Sequence, residues 1–304
     1  MNGRRGVALA ALAAGLLAGD LAGQAPSAGD PWRYVAPASF RRTGIFAHRA
    51  LAEASGVAVS ERHPGVLWSI GDSGNPPDLL ATDSTGRLRG RVRIADVPDA
   101  DWEEVAIGAC PAGRCVYIAD TGDNAERRGA VALIRFPEPN PDAERVRGAE
   151  VLRFRYADGP HDVEAIGVLP SGDVLLVTKG RRGGVLVYRV PARAWSGHGS
   201  RAVATRVDSL PIVASLRIGR AVTGMALSAD GRRAMVRTYR DLYPFTVDPA
   251  TGRFTAPTPM VACSILGLEP QGEGIAWRDD RTLWVTSERG MLKAGMVGVA
   301  ACGR

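Results

Sequence analysis

A short motif recurs five times along the 304 residues, and it constrains the fold more than any other feature of the sequence. Each copy has a polar residue, then a small residue or glutamate, then an apolar residue, and then alanine or glycine. The copies occupy residues 55–58, 103–106, 164–167, 223–226 and 273–276, at intervals of 48, 61, 59 and 50 residues. Repeats of about this length are typical of circular and stacked architectures.

Further apolar runs follow each copy and are separated from it by turn residues such as Pro, Gly and Asp. Second runs occur at residues 66–70, 115–118, 174–177, 234–236 and 283–285, third runs at 79–82, 131–135, 185–188 and 242–245, and fourth runs at 88–94, 150–156 and 202–207. Four short strands in a unit of roughly 50 residues predict one blade of a β-propeller.

We therefore predict an all-β, five-bladed β-propeller that forms a single domain over residues 26–304. The fifth repeat lacks a clear fourth strand before the chain ends, and residues 44–48 could supply it and close the ring. A sixth blade inside one of the two longest intervals is the alternative.

The N-terminus has the order of a secretory signal peptide. Arg4 and Arg5 precede an apolar run at residues 7–18, which is followed by small residues. The run is too short to span a bilayer comfortably. We predict a signal peptide at residues 1–25, no membrane span after its cleavage, and a secreted or periplasmic protein, which we expect to be a monomer.

The four cysteines agree with export. Cys110 and Cys115 flank the turn at residues 111–114, which leaves Cys263 and Cys302 as the second pair. An even number of cysteines in an oxidising compartment favours disulfides. A zinc site is the competing interpretation, but the sequence has no Cys-x-x-Cys pair to support it.

The formal charge of +6 does not indicate a nucleic-acid-binding protein. The arginines are scattered singly or in pairs with acidic residues between them, whereas nucleic-acid binders concentrate basic residues in one stripe. Lys179 and Lys293 are the only lysines, which draws attention to both.

The first position of the motif predicts a metal site. In a propeller the first strand of each blade lines the central channel, so equivalent positions form a ring around one axis. These positions hold Ser55, Glu103, Glu164, Thr223 and Glu273. Three converging carboxylates need a compensating cation or protons, and a set of oxygen ligands without His or Cys selects a hard ion such as Ca2+. Hydrogen bonding between neighbouring blades without a metal is the alternative.

The order Ser, Glu, Glu, Thr, Glu at these positions resembles the ring of the soluble calcium-activated nucleotidases (apyrases). Thr223 stands where that family has a serine. That resemblance implies a five-bladed propeller with one calcium ion held by Ser55, Glu103, Glu164, Thr223 and Glu273. The strings DWEEVA at residues 101–106 and IADTGDN at 118–124 are similar instead to bacterial exported propellers with DWED-like and GDIGDN-like signatures, which are related in shape to the SdiA-regulated propellers.

Polar residues at the ends of the second strands predict a ligand-binding rim around the channel mouth. A mixture of acids, a rare lysine, an arginine and a tyrosine suits a small anionic or polyhydroxyl ligand. The rim residues are Asp72, Asp120, Asp123, Asn124, His161, Lys179, Arg237, Tyr239 and Glu288. Charged strand ends that only meet water are the alternative interpretation.

The sequence therefore predicts an exported calcium-binding propeller that binds a ligand at its channel mouth, without assigning catalysis. The alternative is a calcium-dependent hydrolase of phosphate esters or anhydrides, similar to a nucleotidase or phytase. No Gly-x-Ser-x-Gly motif and no phosphate-binding loop supports another hydrolase class.

Overall fold

β-Strands dominate the computed structural model, which describes residues 29–98, 100–182, 184–196, 202–290 and 293–303. The proposed signal peptide at residues 1–25 lies outside the described residues. The helical elements within these ranges are three short 3-10 helices, Arg49–Leu51, Ala192–Ser196 and Leu216–Ile218. Among the described residues, no helix is long and apolar enough to cross a bilayer. The all-β prediction is confirmed.

The strands follow one another in short antiparallel meanders. In chain order they are β1 (Arg33–Val35), β2 (Ser39–Ile45), β3 (Ala54–Val59), β4 (Leu67–Gly71), β5 (Asp78–Thr82), β6 (Leu88–Ile94), β7 (Trp102–Cys110), β8 (Gly113–Asp120), β9 (Val131–Pro137), β10 (Arg145–Val146), β11 (Glu150–Tyr156), β12 (Val163–Val168), β13 (Val174–Thr178), β14 (Val185–Val190), β15 (Ala202–Leu210), β16 (Val222–Leu227), β17 (Arg233–Thr238), β18 (Asp241–Val247), β19 (Phe254–Thr255), β20 (Val261–Ser264), β21 (Gln271–Trp277), β22 (Leu283–Glu288) and β23 (Met296–Ala301).

Strand pairing groups these elements into five units arranged as a β-propeller. Units 1 to 5 begin with β3, β7, β12, β16 and β21, and each of these first strands contacts the first strands of both neighbouring units. The strands that lie in the two longest intervals between copies of the motif belong to units 2 and 3 or pair at the outer edge of a unit. Units 2 and 3 share one hydrogen-bonded sheet because their outer strands β11 and β15 pair in parallel. Apolar side chains fill the spaces between successive sheets.

An N-terminal strand closes the ring. β2 pairs antiparallel with β23 and completes unit 5. The predicted closing segment, residues 44–48, overlaps this strand only at Gly44 and Ile45. The chain is fixed further by β1, which pairs in parallel with β20 of unit 4, and by the buried Trp32, whose Nε1 donates to the Pro211 carbonyl oxygen at 2.7 Å.

Both predicted disulfides are present. Cys110–Cys115 crosses the hairpin between β7 and β8, and Cys263–Cys302 joins β20 of unit 4 to the residue after β23 of unit 5. All four cysteines are used in this way, so the zinc interpretation is wrong. The second disulfide links units 4 and 5, beside the start of β2, where Ser39 pairs with Ala301.

Candidate functional site

The first strands are irregular at the repeat position that the sequence singles out. The pairing of β7 with β8 skips Glu103, that of β12 with β13 skips Glu164, and that of β16 with β17 skips Thr223. β3 and β21 have register shifts at the same place. A β-bulge leaves a residue unpaired and re-aims its side chain. We call the end of the channel at which these first strands begin the mouth.

The two hydroxyl residues of the ring connect neighbouring units. Ser55 Oγ of unit 1 donates to the Glu103 carbonyl oxygen of unit 2 at 2.6 Å, and Thr223 Oγ1 of unit 4 donates to the Gly272 carbonyl oxygen of unit 5 at 3.0 Å. Both side chains are buried. At Ser55 and Thr223 the structure therefore shows hydrogen bonding between neighbouring blades, which is the alternative interpretation of the ring.

The carboxylates form two overlapping sets at the mouth. We call Asp72, Asp101 and Glu103 the outer set, and Glu103, Asp162 and Glu164 the inner set. In each set, one carboxylate oxygen from every member lies within 4.8 Å of the others. Glu103 belongs to both sets, so these five acidic residues of units 1, 2 and 3 form one continuous cluster.

The inner set already has cations paired with it. Lys179 Nζ donates to Glu164 Oε1, and Arg181 Nε donates to Asp162. Lys179 is only 7% exposed. Burial alone would lower the pKa of Lys179, but the charge of Glu164, together with those of Glu103 and Asp162, outweighs it and holds that pKa well above its usual value. Lys179 therefore lies inside the channel and not on the rim, which corrects the sequence-based prediction.

The outer set has no such partner. Within the described part of the chain, no lysine, arginine or histidine forms an ion pair with Asp72, Asp101 or Glu103. Burial and the neighbouring charge of Asp72 raise the pKa of Asp101 to about 6. Burial and the charge of Glu164 raise the pKa of Glu103 well above its usual value. Burial and the mutual repulsion of these carboxylates therefore disfavour their charged forms in the absence of a cation.

A tight loop after β8 holds both sets in place. Asp120 Oδ1 accepts from the Asp101 backbone N–H at 3.0 Å, and Asp162 Oδ1 accepts from the Asp123 backbone N–H at 2.9 Å. A Cβ atom on Gly122 would lie 2.1 Å from Glu103 Oε1, so only glycine allows this approach. The loop therefore positions the carboxylates. Asp120 and Asp123 are buried and accept hydrogen bonds from Arg128, whereas Asn124 is exposed and accepts from Arg181.

A second carboxyl pair lies in unit 5, which borders unit 1 in the ring. Gln271 Nε2 donates to Glu273 Oε1 at 3.2 Å and also to Glu288. Burial and the charges of Asp72 and Glu53 raise the pKa of Glu288 to about 7. Burial and the charge of Glu273 raise the pKa of the adjacent Tyr239 above its usual range. The predicted residues Glu273, Glu288 and Tyr239 thus share this side of the mouth.

Two predicted rim residues lie elsewhere. Arg237 is fully buried, where it donates to Glu269 and, at 2.8 Å, to the Gly274 carbonyl oxygen. His161 Nε2 lies 3.1 Å from Asp158 Oδ1 and 2.7 Å from the hydroxyl of Tyr188 on β14, the third strand of its unit. Arg237 is therefore a packing residue between units 4 and 5, and His161 lies away from the channel axis.

Sequence reasoning missed three acidic residues. Asp101 and Asp162 each precede a ring glutamate by two positions, so the pattern Asp-x-Glu in two successive repeats was a usable signal. Glu104 is fully buried, and its carboxylate accepts from the backbone N–H groups of Val105 at 3.0 Å and Met225 at 3.4 Å. It thereby connects the first strands of units 2 and 4.

Comparison with known proteins supports the fold. No protein-family model and no curated protein matches the chain. The PQQ-bound aldose sugar dehydrogenase of Streptomyces coelicolor aligns with a TM-score of 0.50 and 12% identity, over 88% of this chain and 99% of that one. The apo-form of the soluble aldose sugar dehydrogenase of Escherichia coli aligns with a TM-score of 0.52 and 11% identity, over 87% and 99%. At this identity the likeness is one of fold alone.

Proposed function

We propose that this propeller is an exported protein that binds one calcium ion at the outer set of its channel mouth. The observation that carries the proposal is the convergence of Asp72, Asp101 and Glu103 without a paired cation, while the adjacent inner set has Lys179 and Arg181. Three carboxylates from two segments, Asp72 after β4 and Asp101 with Glu103 at the start of β7, suit calcium, which accepts a flexible mixture of carboxylates and water. The two predicted disulfides and the N-terminal sequence support export.

The bound ion would also bind the ligand. Asp72 and Asp101 are only half-buried, so an ion between them would keep coordination positions open to solvent. The other groups at the mouth are mainly acidic, so a small anionic ligand could bind there only if the bound ion offset the negative charge. A polyhydroxyl ligand could bind both the ion and the carboxyl pair of Glu273 and Glu288. We infer that the ligand belongs to one of these two classes.

A calcium-dependent hydrolase of phosphate esters or anhydrides is the second candidate. The observation that favours it is the same half-burial of Asp72 and Asp101, because an ion that reaches solvent can polarise a phosphoryl oxygen and position a water molecule. A screen of phosphate esters and nucleotides with and without calcium distinguishes the two candidates. Calcium-dependent hydrolysis that disappears in Asp101→Asn would select the hydrolase.

Calorimetric titration of metal-stripped protein tests the metal site. We expect one calcium ion per chain and much weaker binding of magnesium, which requires a tighter octahedron. Because the pKa of Asp101 is about 6 in the metal-free protein, calcium must displace a proton at lower pH. The apparent affinity should fall as the pH is lowered through the pKa of Asp101, by about tenfold per pH unit for each proton displaced.

The control for this titration is Lys293→Met. Lys293 is the only lysine besides Lys179, and it is exposed and belongs to neither set. It should bind calcium like the wild type. Absence of binding at millimolar calcium, or an affinity that does not change between about pH 5 and about pH 7, would contradict the proposal.

A further inference from the structure

Exposed large apolar side chains are concentrated at one place on the surface. Among the described residues seven are exposed, and Val151 is the only one outside three neighbouring segments of units 4 and 5. The segments are residues 211–220, residues 265–270 and the end of β2. Their exposed apolar side chains are Ile45, Val213, Leu216, Ile218, Leu266 and Leu268. We call these six residues the apolar ridge.

The ridge lies on the mouth face of the propeller. Residues 211–220 lead into β16 and residues 265–270 lead into β21, and both strands begin at the mouth. Ile45 ends β2, where it pairs with Met296 at the start of β23, directly after the turn that follows Glu288. All three segments therefore reach the same face, beside the carboxylates of unit 5.

Arg240 and one shared surface pocket connect the three segments. Arg240 Nη1 donates to the Ile218 carbonyl oxygen at 3.3 Å, and the Ile265 backbone N–H donates to the Arg240 carbonyl oxygen at 2.8 Å. Leu268 and Ile45 line one surface pocket. The ridge is thus continuous from unit 4 to the closing strand of unit 5.

Exposed cations alternate with the apolar side chains. Arg217 lies between Leu216 and Ile218, and Arg42 and Lys293 line the pocket that contains Leu268 and Ile45. The one carboxylate within residues 265–270, Glu269, is buried against Arg237. The ridge therefore presents apolar tips and uncompensated positive charge together.

We propose that the apolar ridge docks the propeller on the surface of a lipid bilayer that contains anionic headgroups. Apolar side chains on short turns can enter the boundary between headgroups and acyl chains, and the neighbouring cations attract anionic lipid. A protein interface would favour a packed apolar centre with depleted charge, whereas here the apolar tips stand on separate segments with cations between them. The ridge lies on units 4 and 5, whereas the outer acidic set belongs to units 1 and 2.

Vesicle sedimentation tests this proposal on the full chain. We expect binding to phosphatidylcholine vesicles that contain phosphatidylglycerol, weaker binding at high salt, and little binding to pure phosphatidylcholine. The double variant Leu216→Ser/Ile218→Ser should bind at least about tenfold more weakly, because two inserting apolar side chains are lost. Arg217→Glu/Lys293→Glu should lose the preference for the anionic vesicles.

Val151→Ser is the matched control, since it removes the one exposed large apolar side chain outside the ridge. It should bind vesicles like the wild type, and all variants should keep the wild-type melting temperature because every substituted position is exposed. Binding that persists in Leu216→Ser/Ile218→Ser would assign membrane contact to another segment, such as residues 7–18, and overturn the proposal. A wild-type dimer that this variant converts to a monomer in light scattering would make a second copy the occupant and would also overturn it.

Discussion

Arg237→Ala is expected to lower the free energy of unfolding by about 3–5 kcal/mol, the cost of breaking a buried ion pair by removing one partner. The Arg237 guanidinium and the Glu269 carboxylate are almost completely buried between units 4 and 5. Without Arg237 the Glu269 charge has no partner, and the carbonyl oxygens of Gly274 and Thr286 lose their donor. Urea denaturation followed by circular dichroism measures the change.

Two controls separate this effect from the loss of any arginine. Arg233→Ala removes a side chain paired with the exposed Asp280, and we expect a cost of about 1 kcal/mol or less. The double variant Arg237→Met/Glu269→Met removes both buried charges and should be more stable than Arg237→Ala. If Arg237→Ala lowers the free energy of unfolding by only about 1 kcal/mol or less, this ion pair does not hold units 4 and 5 together.

Glu103→Gln is expected to weaken calcium binding by about 100-fold or more. Glu103 is the one residue shared by the outer and inner sets, and an amide keeps its shape but removes a carboxylate ligand. The fold should be retained, because the neutral amide suits a buried position where burial already raises the carboxyl pKa. Calorimetric titration at neutral pH measures the loss.

Glu53→Gln provides the matched control. Glu53 is an exposed carboxylate at the mouth that accepts from Asn75 Nδ2 at 2.9 Å and belongs to neither set. Its substitution should change calcium affinity by about threefold or less, since it acts only through screened charge. Equal losses in both variants would mean that calcium responds to the general charge of the mouth and not to the outer set.

The repeat made most of the propeller predictable. Each first strand and its following hairpin have apolar runs and turn residues that identify them locally. The strands that the sequence did not reveal are the short edge strands β1, β10 and β19, together with β20 and β23, the fourth strand of unit 4 and the third strand of unit 5. β20 has four residues, and β23 contains Gly298, so pairing with neighbours specifies them more than local pattern does.

The sequence predicted where the site lies in the fold better than it predicted which side chains contact one another there. The repeat located Glu103 and Glu164, and Asp-x-Glu in two repeats could have added Asp101 and Asp162. The pairing of Lys179 with Glu164 lies within the β12–β13 hairpin of unit 3, and it depends on the direction in which the bulge at Glu164 aims that side chain. The burial of Arg237 depends on Glu269, which comes from the loop between units 4 and 5, so this contact needed the assembled ring.

Anomalous diffraction from crystals soaked in calcium tests the central claim most directly. We predict a single anomalous difference peak at the mouth, bound by carboxylate oxygens of Asp72, Asp101 and Glu103, with Lys179 still paired to Glu164. A peak inside the inner set with Lys179 displaced, or no peak at millimolar calcium, would contradict the account.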